Sequence, residues 1–130
     1  SKIKCNENGT LVKGVPCKSI IQEVNGEVEI LLPGEGQKWQ TATKGMEVPQ
    51  GAKVCTGEGS SAVLAFGTNS VALISSVSVC EIKKLECNED GLKVELFIDP
   101  GACTVSIKKL SQFATDFQVS TPRMTCSVRG

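Results

Sequence analysis

The chain predicts an all-β fold of short strands and Gly-rich turns with almost no helix, and three observations carry that expectation. Glycine is abundant, 13 in 130 residues, within a Val/Ile/Thr/Ser-rich background that favours pleated strands and tight turns. Apolar residues alternate at period two over short runs, and a turn signal closes each run. No amphipathic stretch long enough for a stable helix shows helical spacing.

Residues 54–74, VCTGEGSSAVLAFGTNSVALI, form the centre of this pattern. Thr56-Gly57-Glu58-Gly59 reads as a tight turn, 61–66 and 70–74 as strands, and Gly67-Thr68-Asn69 as the loop between them. Ala62, Leu64 and Phe66 share one parity, Val63 and Ala65 the other. Both faces are apolar, so this strand is expected to be central and covered on both sides.

Residues 1–22 read as an N-terminal extension holding Cys5 and Cys17, and 23–130 as one β-domain. Within the extension Asn8-Gly9 is a turn signal. Asn8-Gly9-Thr10 also matches the N-glycosylation pattern, but the Asn-Gly turn is explanation enough. A Cys5–Cys17 link would tie the segment down. Strand grammar begins at Ser19. Ile21 and Val24 lead to Asn25-Gly26, and Val28, Ile30 and Leu32 follow in alternation. Asn-Gly accepts positive φ at both turn positions, so the sequence reads as a hairpin there.

Beyond the loop Pro33-Gly34-Glu35-Gly36 stands Trp39, the sole tryptophan, expected in the core or at its edge. Gly51, in Pro49-Gln50-Gly51, turns the chain back toward the centre. Val77, Val79, Ile82 and Leu85 precede the turn Asn88-Glu89-Asp90-Gly91. Val94, Leu96 and Ile98 alternate with Lys93, Glu95 and Phe97 before Asp99-Pro100-Gly101. Cys103, Val105 and Ile107 then return, so 92–108 reads as a second hairpin. Lys93, Glu95, Thr104, Ser106 and Lys108 form its wet face. Only 109–115, KLSQFAT, offers room for a helical turn. Phe117 and Val119, then Thr121-Pro122, lead to a last strand with Met124, Cys126, Val128 and Arg129. That strand reads as an unfinished edge, which would offer backbone groups to another chain.

Charge and composition exclude several roles. The 14 basic and 14 acidic residues cancel and form no basic stripe, which argues against nucleic acid and a polybasic membrane clamp as partners. The apolar runs are too short for a membrane-spanning helix. The opening at Ser1 is polar and fits a processed mature chain or a trimmed one. Histidine and tyrosine are absent. Without histidine the chain lacks the commonest general base, the commonest zinc ligand and the physiological pH switch.

Seven cysteines, Cys5, Cys17, Cys55, Cys80, Cys87, Cys103 and Cys126, exceed what a cytosolic protein of this size carries. No CxxC pair occurs, so the expectation is an exported protein with disulfides drawn from these seven, their pairing open, and an odd thiol left free or joined to another chain. Cys103 and Cys126 fall in phase with apolar neighbours and read equally well as small buried hydrophobes.

Catalytic patterns are sought without result. Gly57-Glu58-Gly59-Ser60-Ser61-Ala62 satisfies GxGxxA in letters, but strands rather than a helix follow it. No phosphate loop, GxSxG elbow or SxxK occurs. Glu89, Asp90 and Asp99 sit in turns, where acidic residues serve the backbone, and Glu81, Glu86, Glu89 and Asp90 lack calcium-loop spacing. No catalytic residue, cofactor-binding residue or metal ligand is assigned.

The order of these pieces resembles the FecR domain family. The likeness rests on VEILLPGEGQKWQTATKGMEVPQGAKVCTGEGSSAVLAFGTNSVALI, on GLKVELFIDPGACTVSI and on DFQVSTPRMTCSVRG, and covers 23–130. Trp39, Gly45, Gly51, Thr56, Gly57, Ser60, Gly67, Ser70, Thr121, Pro122, Arg129 and Gly130 stand at the family's pattern positions. The family's regulators carry an anti-sigma segment and a membrane helix ahead of this domain, and residues 1–130 include neither, so a sigma-factor role does not follow. Seven cysteines are also unusual for the family.

The resemblance implies a stacked-strand sandwich or β-solenoid-like roll, working outside the cytoplasm in the periplasm, at the cell surface or secreted, by binding other proteins. Two readings follow. One is a non-enzymatic interaction or structural module, self-assembling through edge strands or disulfides into a homo-oligomer or filament. The other is the partner- or ligand-sensing periplasmic domain of a FecR-type transmembrane regulator. A sugar binder built on Trp39 and the loop 56–60 is a third, thinner expectation. Gly26, Gly51, Gly57, Gly67 and Gly101 are expected to permit turns.

Overall fold

The computed structural model describes residues 18–87, 91–108 and 114–129. The strands are β1 (Ser19–Asn25), β2 (Val28–Leu31), β3 (Gln40–Thr41), β4 (Lys53–Thr56), β5 (Ser61–Phe66), β6 (Ser70–Ile74), β7 (Ser78–Cys87), β8 (Gly91–Ile98), β9 (Cys103–Ile107), β10 (Ala114–Ser120) and β11 (Thr125–Arg129). No helix occurs among the described residues. The fold is all-β. Strands in the order β1-β5-β6-β9 make one sheet, and β11-β10-β8-β7-β4-β2-β3 make the other.

The two orders match place by place. β1 runs on into β2, β4 into β5, β6 into β7 and β8 into β9, and each of these steps carries the chain from one sheet to the other. The protein is therefore built around four strand–corner–strand arches set side by side. Both expected hairpins are corrected by this arrangement. β1 pairs with β5, not β2, and β9 pairs with β6, not β8. Asn25-Gly26 and Asp99-Pro100-Gly101 do turn the chain, but out of one sheet and into the other. The apolar alternation on either side then meets across the core instead of within a ladder.

The corners are fastened to one another. Glu27 donates its N–H to Ser60 Oγ (2.8 Å), and Gly57 donates to Glu27 O (2.9 Å) while accepting from Val77 N (3.2 Å). The Thr56 hydroxyl donates to Ser75 O and accepts from Ser78 N. Ser78 Oγ accepts from Ala102 N (3.1 Å), and Ser75 N donates to Ala102 O (3.0 Å). Thr56, Ser60 and Ser78 are buried, so each hydroxyl satisfies backbone that would otherwise be orphaned away from water. What reads in sequence as one turn at 56–60 is one clasp in a seam through all four corners.

The far end closes differently. Phe66, at the end of β5, meets Phe117 of β10 edge-to-face with ring centroids 5.2 Å apart, worth about 0.5–1.5 kcal/mol beyond burial. Asn69 donates to Thr115 Oγ1 (2.9 Å) and accepts from the Ser70 hydroxyl (3.0 Å), all three residues being buried. β10 lies parallel to β8, and the excursion through β9 supplies the crossover that a parallel pair requires. Between the two ends Ile21, Leu64, Phe66, Ile74, Ile82, Leu96 and Ile98 are among the core side chains contributed by both sheets.

Other expectations are refined. Ala62, Leu64 and Phe66 are buried as the parity implies, and β5 is internal to its sheet, but Val63 and Ala65 are only half-buried on the outer face. Trp39 is 41% exposed and lies outside the core. Gly26, Gly51, Gly67 and Gly101 have positive φ, but Gly57 does not; the left-handed position of that turn is Gly59 (φ 65). Val77 is the exception among the described non-glycines, with φ 52 and an exposed side chain at the third corner. The boundary placed at 22/23 falls inside β1. Cys5, Cys17, the turns at Asn8-Gly9 and 88–90, the helical turn at 109–113 and Gly130 lie outside the described residues, while Ala114 and Thr115 open β10.

At Gly101 (φ 104) an added Cβ would meet Ser78 Oγ, and Ser78 Cα at 2.5 Å, whereas at Gly59 it would meet nothing within 4 Å. In urea unfolding, Gly59→Ala is expected to cost about 1–2 kcal/mol, the price of left-handed backbone alone. Gly101→Ala is expected to cost roughly 3 kcal/mol or more, because Ser78 and the seam must move as well. Equal losses would contradict the close contact.

Candidate interaction surfaces

One flank of the molecule is closed by its own chain. Residues 42–48 run beside the outer edge of β1: Ile21 N donates to Met46 O (2.8 Å), Gly45 N to Ile21 O (2.7 Å) and Val48 N to Ser19 O (2.7 Å). On the same flank β3 ends the other sheet after two residues. The edge is short and covered, as stable sheets require.

The opposite flank is open among the described residues. β11 ends the seven-stranded sheet and pairs only with β10 among the described residues. Thr121 donates its N–H to Met124 O (2.8 Å). The alternation of an antiparallel ladder then makes Val119–Cys126 and Phe117–Val128 bonded pairs. The N–H and C=O groups of Thr125, Ser127 and Arg129 consequently face outward. Cys126 and Val128 lie on the same side as Val119 and Phe117. Val128 packs against the core, while Cys126 is exposed beside Met124, 61% exposed, with Sγ 3.8 Å from Met124 Sδ. From Met124 to Val128 this edge carries no proline, no charge and no register shift.

A second apolar surface lies on the outer face of the four-stranded sheet. The registers align Ile20, Ala65 and Val71 in one row and Val63 and Leu73 in the next. Leu73 is 42% exposed and the others are half-buried. The apolar second parity of β5 is therefore real, but nothing among the described residues covers it.

Two shallow open depressions, about 320 and 350 Å³, are lined by Glu27, Glu29, Thr41 and Cys55 in one case and by Gln22, Asn69, Ser106 and Lys108 in the other. No group of metal-ligating side chains occurs among the described residues. Thr56 and Ser60 engage their hydroxyls inside the seam, so those two groups do not face outward as donors for a sugar.

The cysteines occupy distinct settings. Cys80 is fully buried, and burial first, then the nearby Cys103 and Glu81, push its thiol far above the ordinary range. Burial raises Cys103 as well. Cys55 and Cys87 are half-buried. No disulfide joins Cys55, Cys80, Cys103 or Cys126.

Comparison with family models, with curated proteins and with solved structures finds no match to this chain.

Thiolates, not thiols, react with alkylating agents. Iodoacetamide at pH 8 is expected to modify the exposed Cys126 early and to leave the buried Cys80 unmodified until the protein unfolds. Peptide mass mapping over time checks the order, and early labelling of Cys80 would contradict its place in the core.

Proposed function

We propose that the protein is a non-enzymatic interaction or structural module, working outside the cytoplasm, that recruits other protein chains by strand addition at β11, copies of itself among them. The observation that carries this reading is the open edge of β11, with outward backbone groups at Thr125, Ser127 and Arg129 and an exposed Met124–Cys126 strip beside it. Proteins guard such edges with lysine, proline, bulges or a covering segment. This chain covers the β1 flank with residues 42–48, whereas Met124 to Val128 carry no lysine, proline or bulge and no covering segment among the described residues. Strand addition draws its affinity from main-chain hydrogen bonds and its selectivity from the side chains beside them.

Two sequence features support the extracytoplasmic setting. One is the count of seven cysteines; the other is the resemblance of 23–130 to FecR domains.

Sedimentation velocity tests the proposal. The wild-type chain is expected to associate with rising concentration, and an exposed Cys126 is expected to add disulfide-linked dimers without reductant. Ser127→Pro removes an outward N–H without touching the β10 ladder, so it is expected to abolish association while the near-ultraviolet spectrum stays native. Unchanged association in that variant, or a wild-type chain monomeric at about 1 mM, would contradict association through this edge.

A further inference from the structure

We propose that Cys80 and Cys103 are a disulfide pair that staples the two sheets together beneath the fourth corner. β7 and β9 both run away from the corner at 99–102, because β8 enters that corner antiparallel to β7 and β9 leaves it. Gly101 lies against Ser78, and Ala102 is hydrogen-bonded to the Ser78 hydroxyl at 3.1 Å. Cys103 comes two residues after Gly101, and Cys80 two residues after Ser78. The two thiols thus sit at one level in facing sheets. Both point inward: Cys80 belongs to the buried core and Cys103 packs against it.

Facing sheets ordinarily stand about 10 Å apart, too far for a disulfide, which needs Cα atoms within about 7 Å. Close to a corner the layers converge, and this pair is one step in from it. Cys55 and Cys126 are worse placed. Cys55 opens onto the surface depression beside Glu29 and Thr41, on the opposite side of its sheet from inward-facing Val54 and Cys80. Cys126 lies on the edge strand β11, two strands beyond β8, and is exposed, whereas Cys103 packs against the core.

A low-molecular-weight disulfide such as oxidised glutathione supplies the oxidant. The Cys103 thiol, the more accessible of the two, loses its proton to solvent. Its sulfur attacks one glutathione sulfur, forming a mixed disulfide and expelling one glutathione thiolate. The Cys80 thiol then loses its proton, and its sulfur attacks Cys103 Sγ and expels the second glutathione. Two thiols have lost two protons and two electrons, and the electrons reside on the two reduced glutathiones. Both steps need thiolate, and burial raises both thiols, so the rate is expected to climb from pH 7 to pH 9.

The inference stands whether or not β11 recruits a partner, and its test is read on dilute protein of residues 1–130. The chain is incubated with oxidised and reduced glutathione at pH 9, unfolded, alkylated and digested without reductant. The expected product is a cross-linked pair of peptides containing Cys80 and Cys103, lighter by two hydrogens than the reduced pair. The melting temperature is expected to rise by about 10 °C. Cys126→Ser keeps that rise, and Cys103→Ser and Cys103→Ala lose it. Should either Cys103 variant fail to fold, the peptide map of the wild-type chain decides alone. Alkylated Cys80 and Cys103 after oxidation, or either one linked to a different cysteine, would overturn the pairing.

Discussion

The hydrogen bonds that fasten corner to corner, from Glu27 through Ser60, Gly57, Thr56, Ser75 and Ser78 to Ala102, are the constraint on which the rest of the protein depends. An arch exposes its own backbone at the bend, and four arches side by side would bury several such bends without partners. Three small hydroxyl side chains and the backbone of neighbouring corners satisfy them, each at a cost of ~1–3 kcal/mol if left unmade. Once the corners are in register, the strands they launch are too. Inward residues of one sheet then meet inward residues of the other, and the core is set.

Local pattern in the sequence reports strands well because the period-two alternation is a property of each strand by itself. β5, β6, β8 and β9 all lie where alternation places them, and the loop at 67–69 joins a genuine hairpin. Partner choice is another matter. Asn25-Gly26 and Asp99-Pro100-Gly101 carry turn chemistry that serves a hairpin or an arch equally, and the decision rests with Ser60 and Ser78, distant in sequence, which receive Glu27 and Ala102. No local signal contains that information. Gly57 shows the same limit: its role is to bond Glu27 and Val77 rather than to adopt a left-handed bend, which falls to Gly59. Trp39 shows another, since a lone aromatic is drawn to the core by its area but here stands in the loop ahead of a two-residue strand.

The two flanks also differ in a way that pattern alone hints at only on one side. The apolar run ending in Met124, Cys126 and Val128 is visible in the sequence, and its position at an open edge makes it a surface. The closure of the β1 flank by residues 42–48 is not visible, because backbone donors and acceptors without a side-chain signature do the work. The second parity of β5 is legible as apolar, yet its meaning depends on whether anything lies over it, which only the folded chain decides. Fold and open edge thus have different origins: alternation and burial shape the first, and the place of β11 at the end of its sheet shapes the second.

Amide hydrogen exchange tests the seam most directly. If the corners hold the arches together, the N–H groups of Glu27, Gly57, Ser78 and Ala102 exchange only with global unfolding, as slowly as those of Leu64 and Val94 in the central strands. If those four amides exchange at loop rates while the strands remain protected, the corners are passive connections and the account of this fold is wrong.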